Sequence, residues 1–261
     1  MRRHYPSKLS ARMLLAGLLC TAVLSPAFAA TVLHEAFDGD NTTNLNGTAP
    51  NIRPGVEVWT SPATGTVIRT DGSIAATGGT SAWLPASLQS GFTYTLTSTV
   101  DIVWQSASVT PTGVAFTSDS TFSTSAFAVG DYALQVYRGG GWIFTDSGTT
   151  IASAGANTLF SSGTQNDYEI KLVLSTVDAQ WTLAGWLGGN QVDLNGASAG
   201  MLYTFSSNPS VTGVGLGYSS SSFLLESFTL DAVAAVPEPS TFAFLAGGAV
   251  FGLAMFRRRR G

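Results

Sequence analysis

The chain has a single cysteine in 261 residues, and that cysteine, Cys20, lies in an apolar stretch near the N-terminus. The stretch follows several basic residues and precedes the small-residue pattern Ala27-Phe28-Ala29, an arrangement typical of a secretory signal peptide. We expect signal peptidase to cut before Ala30 and to remove residues 1–29 as a signal helix. The exported body then has no cysteine, which excludes disulfide bonds, thiolate nucleophiles and cysteine metal sites.

Basic side chains are scarce in the central part of the chain. Four of the 12 lysines and arginines lie before residue 30 and four lie at the C-terminus, which leaves four between these groups. All 16 acidic residues lie from Glu35 to Glu238, so this stretch has a net charge of −12 with histidine neutral, against −4 for the whole chain. A domain so acidic repels phosphate backbones, and we expect no nucleic acid partner. Neutral glycans and divalent cations suit it better.

Histidines and paired acids are too few for the common catalytic sites. His34 is the only histidine after residue 29, which excludes a histidine zinc cluster, and no nearby pattern supports a serine–histidine–aspartate triad. Asp167 and Glu169 share one face of a predicted strand. Because Tyr168 and Ile170 take the core positions, the two acids are expected to face solvent. We predict no catalytic residue.

The body is rich in the period-two alternation of half-buried strands. From Phe92 to Trp104, aromatic and aliphatic residues alternate mainly with threonine, and residues 168–174 repeat the pattern. Turn signals such as Gly139-Gly140-Gly141 separate these segments, and no segment between the two chain ends has a sustained 3.6-residue period. Residues 30–235 are therefore predicted to form one all-β domain, a single antiparallel β-sandwich of the jelly-roll type.

The C-terminal segment, residues 236–261, has three distinct parts. In order they are the extended residues Val236, Pro237, Glu238 and Pro239, the apolar run 241–256, and the basic residues Arg257, Arg258, Arg259 and Arg260. As an α-helix the apolar run is about 24 Å long, and arginine side chains extend it towards the roughly 30 Å of a bilayer core. We predict a transmembrane helix over 241–256 with its arginines on the cytoplasmic side.

This order of Pro-Glu-Pro, apolar run and arginine cluster resembles the PEP-CTERM sorting signal of Gram-negative bacteria. The resemblance implies that an exosortase recognises the tail and removes it. The chain is then expected to cross the inner membrane and to be held there only in transit, before it reaches the cell surface or the extracellular matrix. The alternative, from the residues alone, is a plain C-terminal membrane anchor.

The body resembles the laminin-G-like, concanavalin-type jelly rolls. The resemblance rests on strand patterns at His34–Gly39, Phe92–Thr97, Tyr168–Leu174 with Trp181, Gly213–Gly217 and Phe228–Leu230. Such jelly rolls include lectins, adhesion modules and glucanases, and a shared fold does not choose among them. The Glu-x-Asp-x-x-Glu strand of the glucanases is missing here. This favours a non-catalytic domain that binds exopolysaccharide or a surface protein, and the alternative is a secreted glycoside hydrolase.

A short segment near the start of the body is rich in oxygen ligands. Asp38, Asp40 and Asn41 lie close together, and calcium prefers carboxylate and amide oxygens. The spacing does not fit an EF-hand, and these residue types also favour turns for local reasons. We therefore expect either a calcium site or a solvated loop, and no other cofactor.

All six tryptophans lie in the body, and an exposed aromatic ring is a natural platform for the apolar face of a sugar. Strand parity assigns Trp104 and Trp181 to the core. Trp186 has the opposite parity, Trp142 follows the glycine turn, and Tyr137 has the outward parity of its strand. Tyr137, Trp142 and Trp186 are therefore the candidates for exposure and glycan contact. The alternative is that they are half-buried aromatic residues that cover an edge of the sandwich.

Overall fold

The computed structural model describes residues 29–37, 43–61, 67–70, 73–76, 80–118, 131–196, 199–218 and 223–235. These residues form sixteen β-strands, and the stretch Ala29–Ala234 is one compact unit. Among them, no helical segment has the length and hydrophobicity needed to cross a bilayer. Residues 1–28 of the predicted signal segment and the predicted transmembrane helix over 241–256 lie outside the described residues.

The strands range from two to twelve residues in length. In chain order they are β1 Ala29–Glu35, β2 Thr43–Asn44, β3 Val67–Thr70, β4 Ser73–Ala76, β5 Thr80–Pro85, β6 Phe92–Val103, β7 Pro111–Thr117, β8 Asp131–Tyr137, β9 Trp142–Asp146, β10 Thr149–Ala154, β11 Thr164–Ser175, β12 Thr182–Leu187, β13 Asn190–Val192, β14 Tyr203–Thr204, β15 Gly213–Tyr218 and β16 Phe223–Ala234. The three longest, β6, β11 and β16, are neighbours in the middle of one sheet.

The strands form two antiparallel sheets that pack as a sandwich. The larger sheet has the order β13-β12-β11-β6-β16-β4-β3-β2, with β1 paired to β16 and β14 paired to β12. The smaller sheet has the order β10-β9-β8-β7-β15-β5. The chain crosses between the sheets from β5 to β6 to β7, and again from β15 to β16, as in a jelly roll. The predicted all-β antiparallel sandwich is confirmed.

The central strand β6 shows the predicted alternation. Tyr94, Leu96, Val100 and Ile102 point into the core and are buried, whereas the threonines between them are half-buried on the outer face. A fully buried aliphatic side chain contributes about 1.5–3 kcal/mol relative to an exposed one. A slip of one residue would expose the whole set, so the alternation fixes the register of the larger sheet.

The smaller sheet is buried on both parities of its central strands. Val114 and Phe116 of β7 belong to the core, but Ala115 between them is only 1% exposed, and Ala133 of β8 is fully buried. Strands that are covered on both faces do not alternate between apolar and polar residues. Inward and outward positions are therefore harder to assign from the sequence in this sheet.

Candidate functional site

The structure overturns the predicted exposure of Trp142. This residue begins β9, shares the inward parity of Phe144, and is only 7% exposed within the core. The glycine turn before it does not open to solvent, because the Asn157 N–H donates to the Gly139 carbonyl oxygen at 2.7 Å and closes the next loop over the turn. Trp142 therefore fills the sandwich and is not available to a glycan.

Trp186 and Tyr137 are both half-buried, but they lie in different sheets. Trp186 is on the outer face of the larger sheet, opposite Lys171. The Lys171 ammonium lies 5.2 Å from the indole centroid and 3.0 Å from the Glu169 carboxylate, so a cation–π contact covers one face of the ring. Tyr137 ends β8, and burial raises its pKa. The predicted glycan residues do not converge on one surface.

Several predicted site residues lie outside the described part of the chain. They are Ala27, Asp38, Asp40, Asn41, Val236, Pro237, Glu238, Pro239, Arg257, Arg258, Arg259 and Arg260. In the ranges that the structure describes, no three His, Cys, Asp or Glu side chains are grouped to hold a metal ion. His34 lies with its Nδ1 2.9 Å from the Thr229 hydroxyl oxygen. The calcium site stays a prediction.

A cleft of about 420 Å³ opens where three loops meet at one end of the sandwich. It is lined by Ser87 and Leu88 after β5, by Trp181 before β12, and by Pro209, Ser210, Val211 and Thr212 before β15. The Trp181 side chain is half-buried, packing against the core and lining the cleft. The predicted core position of Trp181 is therefore confirmed in part. Strand parity did not indicate the cleft, because β12 begins one position later, at Thr182.

The buried Thr176 hydroxyl holds one wall of the cleft. Its Oγ1 lies 2.7 and 2.9 Å from the carbonyl oxygens of Gln89 and Phe92 and accepts the Phe92 N–H at 3.0 Å. The Tyr94 hydroxyl accepts the Gln89 N–H at 2.7 Å. Because Ser87 and Leu88 directly precede Gln89, this network fixes the loop that carries them.

Asn208 holds the opposite wall. Its Oδ1 accepts the Trp181 N–H at 2.9 Å, and its Nδ2 donates to the Ala179 carbonyl oxygen at 2.9 Å. The Phe205 N–H donates to the Trp181 carbonyl oxygen at 3.1 Å. The buried Phe205 ring is T-shaped against Tyr203 at 5.1 Å between centroids. The backbone on both sides of the indole is therefore fixed before any ligand arrives.

Tyr203 anchors the same wall through the smaller sheet. Its hydroxyl donates a short hydrogen bond to the Asp146 carboxylate at the end of β9. Burial and then this carboxylate raise the Tyr203 pKa well above its ordinary value. The phenol therefore stays protonated and continues to donate, which keeps the segment that leads into the cleft attached to the sandwich.

The cleft combines apolar and hydroxyl surfaces. The indole, Leu88, Pro209 and Val211 offer apolar contact, while Ser87, Ser210 and Thr212 offer hydroxyl groups. Hydroxyls both donate and accept hydrogen bonds. A flat apolar ring edged by such groups suits a ligand that has an apolar face and a hydroxylated rim.

The described carboxylates nearest to a catalytic arrangement lie far from the cleft. The Asp167 N–H donates to Asp101 Oδ1 at 3.0 Å. Burial, then the charge of Asp101 and contacts with Asp167, raise the Glu226 pKa. Thr93 is level with the start of β12 beside Trp181, and Asp101 lies eight positions along β6 from it, or about 27 Å. The acids and the cleft do not form one site.

Glu35 is a buried carboxylate whose role was not predicted from the sequence. It is fully buried, and it accepts the Phe37 N–H at 2.8 Å and the Trp59 Nε1–H at 3.1 Å. The Trp59 ring packs at 5.3 Å from Phe228 in the core. Leu33, Glu35 and Phe37 share one parity, so the alternation of the sequence already indicated that Glu35 is buried. The role of Glu35 is to hold the segment after β1 against the core.

Residues 235–260 match the family model of the PEP-CTERM protein-sorting motif. The chain carries a PEP-CTERM sorting motif. The match covers the Pro-Glu-Pro, apolar and arginine parts that carried the resemblance in the sequence, so that recognition is confirmed. The motif indicates export to the cell surface or beyond it, with processing by an exosortase.

Solved structures with a similar fold include a carbohydrate recognition domain of Emp47p, with a TM-score of 0.45 and 11% identity over 78% of this chain and 98% of that one. An endo-1,3-β-glucanase from Streptomyces sioyaensis has a TM-score of 0.47 and 9% identity over 82% of this chain and 99% of that one. A protein of unknown function with a galectin-like fold from Bacillus subtilis has a TM-score of 0.45 and 12% identity over 67% and 90%. Comparison with curated protein sequences finds no similar chain.

The sorting motif follows directly on β16, the last strand of the sandwich. β16 ends at Ala234 and pairs with β6 on one side and with β1 on the other. Ala29 and Ala30, at the predicted signal-peptidase site, are exposed at the start of β1 opposite Val233 and Ala232. The sandwich therefore begins and ends on neighbouring strands, about 4.8 Å apart. Cleavage before Ala30 stays a prediction.

Proposed function

We propose that this chain is an exported protein of the cell surface or extracellular matrix whose β-sandwich binds polysaccharide without cleaving it. The sorting motif supports the destination. The Trp181 cleft is the proposed binding site. Exosortase and signal peptidase are the proposed processing partners, and the membrane is a partner only in transit.

The observation that carries the binding proposal is an indole held in a cleft of three loops and edged by hydroxyl groups. Thr176 and Asn208 fix the backbone around it, so little ordering entropy is lost when a ligand docks. Trp186 is the less favourable platform because Lys171 lies over its ring. The geometry therefore favours Trp181 over the residues expected from strand parity.

The binding test compares two tryptophan variants of the full chain, purified in a detergent without a sugar headgroup. Trp181→Ala is expected to weaken binding to the best polysaccharide of a panel by about 10-fold or more, the loss typical of a central aromatic anchor. Trp186→Ala is the matched control, since it removes a half-buried indole from the same strand region, and its affinity should stay within about 2-fold of the native value. Isothermal titration calorimetry gives both numbers.

The proposed export through the sorting motif is tested separately, in the native host. Changing Arg257, Arg258, Arg259 and Arg260 to serine removes the cytoplasmic charge that orients the tail. The variant is expected to accumulate as an uncut precursor in the inner membrane, as seen by fractionation and mass spectrometry. Normal surface delivery of this variant would contradict the sorting proposal.

A secreted glycoside hydrolase is the second candidate, and the Asp101, Asp167 and Glu226 group supports it. Hydrolysis of a glycoside by general acid catalysis needs two carboxyl groups, one of them with a raised pKa, and Glu226 has a raised pKa beside two aspartates. Release of reducing ends by the purified chain, abolished by Glu226→Gln, would establish this activity. We expect no release, because the saccharide platform lies about 27 Å from these acids along the strands.

Calcium is the one proposed cofactor, through Asp38, Asp40 and Asn41. Their oxygen atoms are the support for this proposal. Calcium titration should raise the thermal midpoint of the native chain, and the double variant Asp38→Asn with Asp40→Asn should lose the shift. An unchanged midpoint in the native chain favours a solvated loop.

A further inference from the structure

None of the described residues that line the Trp181 cleft is charged. Its seven lining residues are Ser87, Leu88, Trp181, Pro209, Ser210, Val211 and Thr212. A buried or half-buried carboxylate needs a cation or several N–H donors to replace its hydration. None of the lining side chains supplies a positive charge.

Two backbone N–H groups at the cleft are also committed to other residues of the chain. The Trp181 N–H donates to Asn208, and the Thr212 N–H donates to the Thr117 carbonyl oxygen at 2.8 Å. The lining side chains that remain for a ligand are the hydroxyls of Ser87, Ser210 and Thr212. Neutral sugar hydroxyls match such groups, because each partner both donates and accepts.

The electrostatic surroundings oppose an acidic ligand. The three loops that form the cleft, residues 86–91, 176–181 and 205–212, contain one charged residue, Asp178. The stretch from Glu35 to Glu238 has a net charge of −12. Its field repels a polyanion at low salt, over a Debye length of about 10 Å at 0.1 M.

Given that the cleft binds saccharide as proposed above, we infer that its ligand is a neutral saccharide and that it rejects uronate polymers. The sugar ring lies against the Trp181 indole, and its hydroxyls bond to Ser87, Ser210 and Thr212. The volume of about 420 Å³ is in the lower half of the range for small-ligand sites, roughly 300–1,000 Å³. It therefore accommodates a short saccharide segment and leaves the rest of the polymer outside.

The test uses pairs of oligosaccharides that have the same linkage and length and differ only in oxidation at C6. β-1,4-linked oligomers of mannose and of mannuronic acid form one such pair, and oligomers of glucose and of glucuronic acid form another. The full chain is titrated with each oligomer at low and at high salt. We expect the neutral member to bind at least about 10-fold more tightly at low salt, with a smaller gap at high salt because screening weakens the repulsion.

Three variants assign the selectivity to the cleft. Trp181→Ala should remove binding of the neutral oligomer. The double variant Ser87→Ala with Ser210→Ala changes two exposed side chains, so it should leave folding unchanged and weaken neutral binding several-fold. Asp178→Asn should strengthen binding of the uronate oligomer at low salt, and so reduce its difference in affinity from the neutral oligomer. The affinity for the neutral oligomer should stay unchanged.

The two proposals fail in different ways. Uronate binding that depends on Trp181 and is as tight as neutral binding would overturn the inferred ligand class and leave carbohydrate binding intact. Binding of no saccharide, or binding indifferent to both Trp181→Ala and the serine double variant, would overturn the binding site itself. If the affinity difference between the neutral and the uronate oligomer is the same at high salt as at low salt, charge repulsion is not its cause.

Discussion

Trp181 directly precedes the short strand β12 and Trp186 lies near its end, and both are half-buried, yet they differ in what a ligand would meet. Trp181 lines a cleft without charged lining residues, and Asn208 fixes its backbone. Trp186 lies on an open sheet face under the Lys171 ammonium, which is itself paired with Glu169. Exposure alone therefore does not identify a binding aromatic. What matters is whether the ring face is free and whether its surroundings are already ordered.

The difference follows from where each residue stands relative to the sheet. A strand residue on an outer face has cross-strand neighbours about 5 Å away, and long side chains such as lysine fold over it. Trp181 lies just before β12, where Asn208 and Phe205 bond to its backbone and its indole lines the cleft. Ordered loops on a rigid scaffold are the usual location of binding groups.

The largest expected effect concerns the support of the Trp181 region. Thr176→Val removes the buried hydroxyl that accepts the Phe92 N–H and lies against the Gln89 and Phe92 carbonyl oxygens, and it is expected to lower the free energy of unfolding by about 1–3 kcal/mol. The matched control is Thr97→Val on the outer face, level with Lys171, where the change should stay within about 0.5 kcal/mol. Denaturant unfolding measures both. Equal losses in the two variants would show that the cleft is no more tightly supported than the Trp186 face.

A smaller effect, on saccharide affinity, is expected when Asn208 no longer holds the backbone of Trp181. Asn208→Ala removes the acceptor for the Trp181 N–H, and saccharide affinity should fall about 5-fold while overall stability changes by less than about 1 kcal/mol. Asn195→Ala removes a comparable loop contact, to the Ala199 carbonyl oxygen at 2.9 Å, away from the cleft. Calorimetric titration compares the two. A loss of affinity in the Asn195 variant that matches the Asn208 variant would contradict a preorganised cleft.

A third change exposes the ring face of Trp186. Lys171→Ala uncovers the indole face and removes a cation–π contact worth about 0.5–1 kcal/mol at an exposed site. Quenching of tryptophan fluorescence by acrylamide should rise, measured in a Trp181→Phe background. The same chain with Trp186→Phe added gives the contribution of the other four tryptophans, which is subtracted. Saccharide affinity in that background should stay low, because the sheet face has no surrounding walls. Strong binding there would show that the lysine cover was the whole difference between the two rings.

Much of the larger sheet was predictable from the sequence. Period-two alternation in β6 and β11 reflects one buried and one solvated face, so each inward residue appears at every second position. Glu35 obeys the same parity as Leu33 and Phe37, but a carboxylate at a core position needs partners such as the Trp59 indole, 24 residues away. That pairing has no local signal.

The site was less predictable because its parts meet only in three dimensions. The Trp181 cleft joins loops around residues 87, 181 and 210, which are far apart in the sequence. The exposure of Trp142 was predicted from the glycine turn before it, but the loop that carries Asn157 closes over that turn, and this contact has no local signal in the sequence. The sorting motif, by contrast, is contiguous and could be recognised residue by residue.

The smallest expected effect is a pH dependence of stability that comes from Glu226 and leaves saccharide affinity at the cleft unchanged. Burial, Asp101 and Asp167 raise the Glu226 pKa above its ordinary value of 4.5, so the folded state binds this proton more tightly than the unfolded state does. Stability from Glu226 is then present at low pH and decreases as the pH rises from about 4.5 through the raised folded value. Thermal midpoints across this interval should show a slight downward slope that Glu226→Gln removes. No cleft-lining side chain titrates in that interval, so saccharide affinity should stay flat, and an affinity that follows the Glu226 titration would show that the two ends of the sandwich act together.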